Sequence, residues 1–518
     1  MWPGASCEAG LYPGPVRRTG ILAVLMLALG GALTPAVHAA DQRAWTLRAL
    51  DLQYELGSDL GLANAPWVYT HNAFNSRAEL GPRSVSANDP NQILTVVGQL
   101  DEGVRHIEID THLFPSPSDP RVGALGPVVC HSTEQHAGCS GEKSLVAVLS
   151  EVRGWLRAHP RQVILLYLES HLDTVDGYAA GADEVEEALG DVLYKPPAGG
   201  GCTPMPLGVS RNQIRRAGKQ VLAIGPCGLG PRWPALVFDE SPRLTGDDNN
   251  TFRDFPDCGP DFTRAKYEAS PIRYYEDSTQ VSANVNGGTD PITAPIAARM
   301  TRCGVDLLGF DMLTRGDPRL AAVVWSWAPG EPAPGSDCAV QRPDGRWAAR
   351  PCGERHRVAC RDATGYWRIP AGRTSARAAV RLCGRPGLTQ GVPHTGYEGQ
   401  RLKASQARAG AGEVWLGHRR RGDGWKAYER KGCGPSLRRS GRRRLVRHRV
   451  VSTVVRLGFV CTGERLNRPI VVRGGQRAVR SRTGRAVRIR VGPHTRELRV
   501  GYSYRGKRRA VTVLLRRR

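Results

Sequence analysis

The chain has 518 residues, of which 40% are hydrophobic and 23% are charged, and its formal net charge is +25 at pH 7. This composition is ordinary for a globular protein, and the length allows two or three domains. No stretch after residue 39 is long and apolar enough to cross a bilayer, which argues against an integral membrane protein. Residues 401–518 hold 35 Lys and Arg but only 5 Asp and Glu, so the basic character belongs to the C-terminal part of the chain.

The N-terminus has the features of an export signal. Arg17 and Arg18 precede an apolar run over residues 21–29, and residues 37–39 fit a small-residue cleavage pattern. The run is shorter than the roughly 20 residues of a spanning helix, which argues against the alternative of a membrane anchor. We therefore expect a signal peptide over residues 1–39 and a soluble, secreted mature protein.

Cysteine usage supports the same expectation. Cys7 lies in the predicted signal peptide, so twelve of the 13 cysteines remain in the mature chain. An even number of cysteines in an exported protein favours disulfide bonds over metal thiolates. The pairing does not follow from the sequence, although a bond between Cys130 and Cys139 would close a short loop beside His131.

Apolar strands alternate with amphipathic helices over residues 67–327, which is the pattern of a parallel sheet wrapped by helices. The first predicted helix is capped by Asn91 and ends at Gly103; the second has apolar residues over 145–156 and stops at Pro160. Further strands are predicted at residues 104–110, 163–168, 220–224, 235–238, 305–310 and 322–327. About 260 residues of this alternation fit an α/β fold of the closed (β/α) TIM-barrel type, whose reactive groups lie at the C-terminal strand ends.

Four strand ends in the first third of the chain carry acidic, histidine or asparagine side chains, namely His71 with Asn72, Glu108 with Asp110, His131, and Glu169. One imidazole can take a proton and another can give one, while a hard cation held by oxygen ligands can bind a phosphate between them. The set therefore predicts phosphodiester cleavage, with His71 and His131 as the candidate catalytic groups.

Several of these residues also have an ordinary structural alternative, and His71 could be a turn residue. Glu108 and Asp110 point the same way from a strand and could form a solvated face. Glu169 ends an apolar run, where an unpaired carboxylate is costly, so a metal or a basic partner is expected there. Lys219 and Tyr275 are weaker candidates for substrate binding, and a solvated lysine is the alternative for Lys219.

The ordered set resembles the catalytic domain of phosphatidylinositol-specific phospholipase C, over residues 60–175 and more loosely to residue 330. Members of that family carry His-Asn, Glu-x-Asp, His and Glu after successive strands. Metal-independent bacterial members have an Arg where this chain has Asp110, and tend to have a Lys where it has Glu169. The resemblance therefore implies the calcium-dependent branch, with Ca²⁺ as cofactor and oxygen ligands from Asn72, Glu108, Asp110 and Glu169.

The resemblance also implies a mechanism. The inositol 2-hydroxyl would attack phosphorus, giving inositol 1,2-cyclic phosphate and releasing diacylglycerol from a phospholipid substrate. His131 would protonate the departing glycerol oxygen. His71 would act as general base or, if Glu108 or Glu169 takes that proton, as a cationic stabiliser of the transition state. Asp311 could orient His71, as an acidic residue does in bacterial relatives.

The C-terminal part differs in composition from the predicted barrel at 40–329. After a linker at 330–335, a Cys-rich accessory region is predicted at 336–465, with no helix before residue 404, and a basic β-rich tail at 466–518. Parts of the accessory region resemble a C-type lectin-like domain without its full four-cysteine set. The tail could contact anionic lipid or acidic cell-wall polymers, and no specific nucleic acid partner is predicted.

Two other functions stay open from the sequence. Glycerophosphodiester phosphodiesterase-like hydrolases share a Glu-x-Asp and two histidines on a similar barrel, but they usually open with His-Arg, and here the pair is His71-Asn72. A non-catalytic binding protein would keep a degenerate barrel and act through its basic tail. The complete set of histidines and oxygen ligands argues against that alternative.

Overall fold

The computed structural model describes most of the chain from residue 41 to residue 427 and several strands beyond it. The described residues are 41–80, 89–116, 123–139, 143–199, 201–241, 244–245, 252–259, 272–277, 291–362, 365–383, 388–422 and 424–427, with isolated strands between 435 and 514. The predicted signal peptide lies outside these ranges. No helix in the described part of the chain is long and apolar enough to cross a membrane.

In the described part of the first two thirds of the chain, ten strands share one sheet. They are β1 (Trp67–Thr70), β2 (His106–Pro115), β3 (Leu125–Val129), β4 (Lys143–Ser144), β5 (Ile164–His171), β6 (Val221–Gly225), β7 (Phe238–Asp239), β8 (Leu244–Thr245), β9 (Arg273–Glu276) and β10 (Leu307–Phe310). Eight of them are parallel neighbours in the order β7-β6-β5-β2-β1-β10-β9-β8, and β3 and β4 extend β2 in antiparallel fashion. Within the described residues no ladder joins β7 to β8. The arrangement is TIM-like, which confirms the predicted fold class.

Helices connect the parallel strands and cover the sheet. They are α1 (residues 41–56), α2 (Val96–Asp101), α3 (Leu145–Ala158), α4 (Val175–Leu189), α5 (Arg211–Arg216), α6 (Ala294–Cys303) and α7 (Pro318–Ala322). Helix α3 buries the apolar face that its sequence predicts. Helix α2 begins later than predicted, because Thr95 and not Asn91 caps it, accepting a bond from Gly98 N at 3.0 Å.

Side-chain alternation along the strands separates two apolar layers. Ile107 and Ile109 of β2 pack toward the helices, whereas Tyr69 of β1 and Tyr167 of β5 belong to a second cluster inside the barrel. Glu108 alternates with the two isoleucines and receives a hydrogen bond from the Tyr69 hydroxyl, so it faces the interior. The same alternation directs every second residue of each strand toward the barrel axis.

Two predicted strands are wrong in whole or in part. Residues 233–235 form a 3₁₀ turn, and only Phe238 and Asp239 pair as β7. The predicted strand at 322–327 is not formed, and residues 318–322 are helical. The Asp317 side chain caps this helix by accepting a hydrogen bond from Arg319 N, and Pro318 occupies the first helical position. Trp327 then forms a single bridge to Trp347 instead of a strand.

The accessory region is a disulfide-bonded assembly of strands that pair antiparallel, except for one parallel pair between residues 357–358 and 414–415, and it packs directly on the barrel. Its strands are β11 (Cys338–Gln341), β12 (Trp347–Arg350), β13 (Arg357–Val358), β14 (Cys360–Asp362), β15 (Trp367–Arg368), β16 (Leu388–Gln390), β17 (Val414–Arg421) and β18 (Gly424–Ala427). Two helices, α8 (Ala376–Leu382) and α9 (Gly396–Arg408), contradict the expectation of no helix before residue 404. The rings of Trp327 and Trp347 are 5.7 Å apart, so barrel and accessory region share one apolar core.

Five disulfides lie in the described part of the chain: Cys130–Cys139, Cys202–Cys227, Cys258–Cys303, Cys338–Cys352 and Cys360–Cys383. The first of these, Cys130–Cys139, is the bond that would close a short loop beside His131, as noted from the sequence. Cys433 and Cys461 lie outside the described residues. Farther on, Glu497–Tyr504 and Lys507–Leu514 pair as an antiparallel hairpin, as the alternation of the basic tail predicted.

Candidate active site

The predicted oxygen ligands come together at the C-terminal ends of neighbouring parallel strands. In the register of β2 and β5, Asp110 is paired with Glu169. Glu108, Asp110 and Glu169 each contribute one carboxylate oxygen to a group of three oxygens that all lie within 4.8 Å of one another. Glu108 is 2% exposed and Asp110 is 4% exposed, while the Glu169 side chain is 40% exposed. The three carboxylates therefore form a pocket of negative charge that is open on the Glu169 side.

Burial makes the two inner carboxylates hard to ionise. Burial, together with the charges of Glu276 and Glu169, raises the pKa of Glu108 to about 8, although His71 opposes the shift. Burial and the charges of Glu169 and Glu108 raise the pKa of Asp110 well above its ordinary value. Three carboxylates this close are repulsive unless protons or a cation neutralise them.

The hydrogen-bond partners of Glu108 and Glu169 are a hydroxyl, a backbone N–H and one imidazole. Glu108 accepts from the Tyr69 hydroxyl and from Asn72 N at 3.3 Å. Glu169 lies 3.1 Å from Nε2 of His171. In the described part of the chain, no Lys or Arg forms an ion pair with Glu108, Asp110 or Glu169. No lysine or arginine there thus supplies the positive charge that the site calls for.

Asn72 directs its side chain at Asp110. Its φ is +44°, a left-handed conformation that asparagine tolerates better than most residues. With the amide nitrogen toward Asp110, Asn72 donates to both carboxylate oxygens at 2.7 and 2.8 Å, and its oxygen accepts from His71 Nε2 at 3.1 Å. The amide would have to turn for Asn72 to offer its oxygen to a cation.

A fourth inward-facing carboxylate, Glu276, was not predicted from the sequence. It follows Tyr275 at the end of β9 and lies 2.9 Å from the Tyr69 hydroxyl, which therefore bridges Glu276 and Glu108. The signal that could have identified it is the period-two alternation of β9, which places Tyr274 and Glu276 on the interior face and Tyr275 on the outer one.

His71 contacts a carboxylate that directly follows β10. Its Nδ1 lies 3.1 Å from Oδ1 of Asp311, which is 2% exposed. Burial alone would lower the pKa of His71, but the charges of Asp311, Glu108 and Glu276 outweigh it and hold the pKa well above 6.5. The Asp311 contact thus favours the cationic form of His71.

His131 lies in the loop after β3, which the Cys130–Cys139 disulfide closes. Burial and the nearby His71 lower the pKa of His131 below 6.5, against the opposing charges of Asp89, Asp311 and Glu169. Its Nδ1 lies 3.3 Å from Nδ2 of Asn75. The surroundings of the two candidate catalytic imidazoles therefore shift their pKa values in opposite directions, upward for His71 and downward for His131.

Two predicted substrate-binding residues lie elsewhere. Lys219 precedes β6 at the opposite, N-terminal end of the strands and donates to Asp191 O at 2.8 Å. Tyr275 is 3% exposed and packs edge-on against Phe252 in the helix-facing core. Neither side chain faces the carboxylate cluster, so the structure brings neither one to the site.

Comparison with known proteins identifies the family. A family model described as "Rv2075c PI-PLC-like domain" matches residues 26–317. The chain belongs to this family. Proteins from two strains of Mycobacterium tuberculosis, titled "Uncharacterized protein MT2135" and "Uncharacterized protein Rv2075c", are each 37% identical over 422 residues, which cover 77% of this chain and 85% of each relative.

Solved structures of lower similarity include phosphatidylinositol-specific phospholipases C. The enzyme from Listeria monocytogenes is 15% identical with a TM-score of 0.35, covering 53% of this chain and 97% of that one. One from S. aureus is 13% identical with a TM-score of 0.32, covering 52% of this chain and 95% of that one. The family match thus gives a PI-PLC-like domain, and the chemistry must be argued from the site.

Proposed function

We propose that this protein is a calcium-dependent phosphodiesterase that cleaves phosphatidylinositol-type phospholipids. The observation that carries the proposal is the set of three mutually close carboxylates, Glu108, Asp110 and Glu169. The imidazoles of His71 and His131 are near enough to interact electrostatically with this set. The PI-PLC-like family supports the reaction class, and the oxygen-rich set supports a hard cation. The five disulfides accord with the secreted location that the N-terminus predicts.

Calcium fits the donor set on chemical grounds. All three carboxylates offer hard oxygen ligands, the number of negative charges exceeds what His71 can neutralise, and one side of the pocket is open. Asn72 would add its oxygen after the amide turns. Calcium bound there would lower the pKa of the attacking hydroxyl and offset charge on the phosphoryl oxygens.

The protein's own groups would supply the remaining chemistry. His71, protonated beside Asp311, would stabilise negative charge on the phosphoryl group, which favours its role as a cation over that of general base. One of the carboxylates Glu108 and Glu169 would then take the proton from the inositol 2-hydroxyl. His131 would donate a proton to the departing glycerol oxygen, so the products are diacylglycerol and inositol 1,2-cyclic phosphate.

The role of His131 can be tested through the leaving group. His131→Ala should lower kcat on phosphatidylinositol by roughly 10²- to 10⁴-fold, the range for acid–base groups. The same variant should lose far less activity on an inositol phosphodiester with a nitrophenol leaving group, which departs without a proton. Equal losses on both substrates would remove His131 as the proton donor.

Product analysis separates this proposal from its competitor. A glycerophosphodiesterase-like enzyme would release free glycerol phosphate from a deacylated substrate such as glycerophosphoinositol, without a cyclic intermediate that accumulates. We expect cyclic inositol phosphate from phosphatidylinositol and little cleavage of the deacylated glycerophosphodiester. The reverse preference would favour the competing function.

Contact of the basic tail with anionic lipid remains part of the proposal for the membrane-bound substrate.

A further inference from the structure

Of the three clustered carboxylates, Glu169 is the one that burial does not hold in place. Glu108 and Asp110 are buried, and Glu108 also accepts from the Tyr69 hydroxyl. Glu169 pairs with Asp110 in the register of β2 and β5, yet its side chain is 40% exposed. An exposed glutamate side chain is free to change rotamer, and fixing it costs conformational entropy. A metal ligand at this position therefore needs a further contact that keeps its carboxylate turned toward Asp110.

His171 supplies that contact. Its Nε2 lies 3.1 Å from Oε1 of Glu169, and within the described residues this is the one hydrogen bond that the Glu169 side chain makes. The two residues are two positions apart on β5, so both side chains leave the same face of the strand. An ionised carboxylate only accepts, so His171 is the donor. A carboxylate has about four acceptor positions, which leaves room for a cation.

Stacking fixes the ring of His171. It lies nearly parallel to the ring of His112, with ring centroids 4.6 Å apart and an angle of 19° between the planes. These two histidines are register partners on β2 and β5, two residues beyond the pair of Asp110 and Glu169 and on the same face. His112 is fully buried, so the ring against which His171 packs is itself confined. An imidazole layer thus lies directly beyond the carboxylate layer.

A second set of contacts confines His112. Its Nδ1 lies 2.9 Å from Nδ1 of His136, so one of these two nitrogens donates to the other. Nε2 of His136 lies 2.7 Å from Oδ2 of Asp173, which follows β5. A chain of contacts therefore connects Asp173 to Glu169 through three imidazoles.

We propose that His171 is a positioning residue that holds Glu169 in place as a ligand of the cation, and that the other two imidazoles confine its ring. The proposal rests on the calcium site of the proposed function. Hydrogen-bond partners of metal-ligating carboxylates orient the ligand, and losing one lowers metal affinity by roughly 10- to 100-fold. A purely structural histidine would instead contribute to stability and leave calcium affinity unchanged.

The test is the calcium Kd of the mature, full-length protein and its variants, measured by calorimetric titration at pH 7. In His171→Phe, the aromatic ring keeps the stack on His112 but loses the N–H donor, so Kd should rise by roughly 10- to 100-fold. His171→Gln presents an amide N–H to the same carboxylate and should recover part of that loss. His159→Phe is the matched control, because His159 stacks on Trp155 at the end of α3, and it should leave Kd unchanged.

His136→Ala tests the confining contacts separately, and it does not depend on the folding of His171→Phe. His171 is retained in this variant, but the ring on which it stacks loses its support. The calcium Kd should therefore rise by a smaller factor than in His171→Phe. An unchanged Kd would overturn the part of the proposal that assigns a role to His136.

Calcium affinity that is equal in the unsubstituted and His171→Phe proteins would overturn the positioning role and leave the calcium site standing. A Kd that rises as much in His159→Phe would also overturn it, because the effect would then be a general one. If the unsubstituted protein binds no calcium at millimolar concentrations, the calcium site itself is wrong, and the positioning role falls with it. The two kinds of failure are therefore distinguishable without measuring turnover.

Discussion

Nδ1 of His71 lies 3.1 Å from Oδ1 of Asp311, a residue 240 positions farther along the chain. The barrel makes this contact possible, because β1 and β10 are parallel neighbours and both residues follow their strand ends directly. The ion pair keeps a positive charge beside the carboxylate cluster.

Asp311→Asn keeps the shape of this contact and removes its charge. The pKa of His71 should fall, because burial then acts without its main opposing charge. We expect kcat/KM on phosphatidylinositol to fall roughly 10²- to 10⁴-fold. Asp176→Asn, on the exposed side of α4, is the control and should retain activity. Wild-type turnover by a folded Asp311→Asn protein would exclude the ion pair from the mechanism.

The carboxylate cluster should destabilise the calcium-free protein at high pH. Glu108 has a folded-state pKa of about 8, against 4.5 in the unfolded chain, so the folded state keeps a proton that the unfolded state loses. Stability is present below pH 4.5 and is lost toward pH 8, at about 1.4 kcal/mol per pH unit for each such carboxyl. Thermal unfolding in chelator at pH 5 and pH 8 measures this difference.

Calcium and one substitution should each reduce that pH dependence. Calcium added at pH 8 should raise Tm, because it binds the folded state alone. Glu108→Gln should raise Tm at pH 8 without calcium and should weaken the response to calcium, while the exposed Glu187→Gln should do neither. If Tm at pH 8 is indifferent to calcium in the unsubstituted protein, the three carboxylates are not a calcium site.

The disulfide beside His131 should matter for both stability and turnover. Replacing Cys130 and Cys139 together by Ser should reduce the free energy of unfolding by about 2–3 kcal/mol, the value for a loop this short. The loop that carries His131 would then be less constrained, so kcat should fall while substrate KM changes little. Replacing Cys338 and Cys352 in the accessory region is the comparison, since that pair should affect stability alone.

A histidine outside the active site should make the protein sensitive to acid. His418 is buried against Trp327, Trp347 and Trp425, and burial lowers its pKa to about 3. The unfolded state takes up a proton near pH 6.5 and the folded state does not, so stability falls as pH drops below 6.5, by about 2 kcal/mol at pH 5. His418→Phe should flatten this part of the stability curve; an unchanged slope would place the acid sensitivity elsewhere.

The sequence allowed candidate site residues to be predicted wherever a polar residue lies on or directly after a buried strand. His71, Asn72, Glu108, Asp110 and Glu169 all lie on or just after buried parallel strands, and such ends meet at one edge of a barrel. Asn91 was misread as a helix cap because its real partner, Asp311, is 220 positions away. Local patterns carry no information about such a contact.

Two further differences have local physical causes. Glu276 was missed because β9 is only four residues long, so the alternation that turns it inward is weak in the sequence. Helix α9 was largely missed because it is polar and contains glycine at residues 396 and 399, which disfavour helix. It forms because Thr395 caps Glu398 N at 3.2 Å and because Gly396 fits closely against the backbone at Thr301.

The central claim is calcium-dependent cleavage of phosphatidylinositol at the carboxylate cluster between His71 and His131. The most direct measurement follows the ³¹P NMR spectrum of phosphatidylinositol vesicles with the purified mature protein, first with calcium and then with excess chelator. The account predicts the signal of inositol 1,2-cyclic phosphate with calcium and no turnover with chelator. Turnover that survives chelation, or calcium-dependent cleavage that yields no cyclic phosphate, would contradict it.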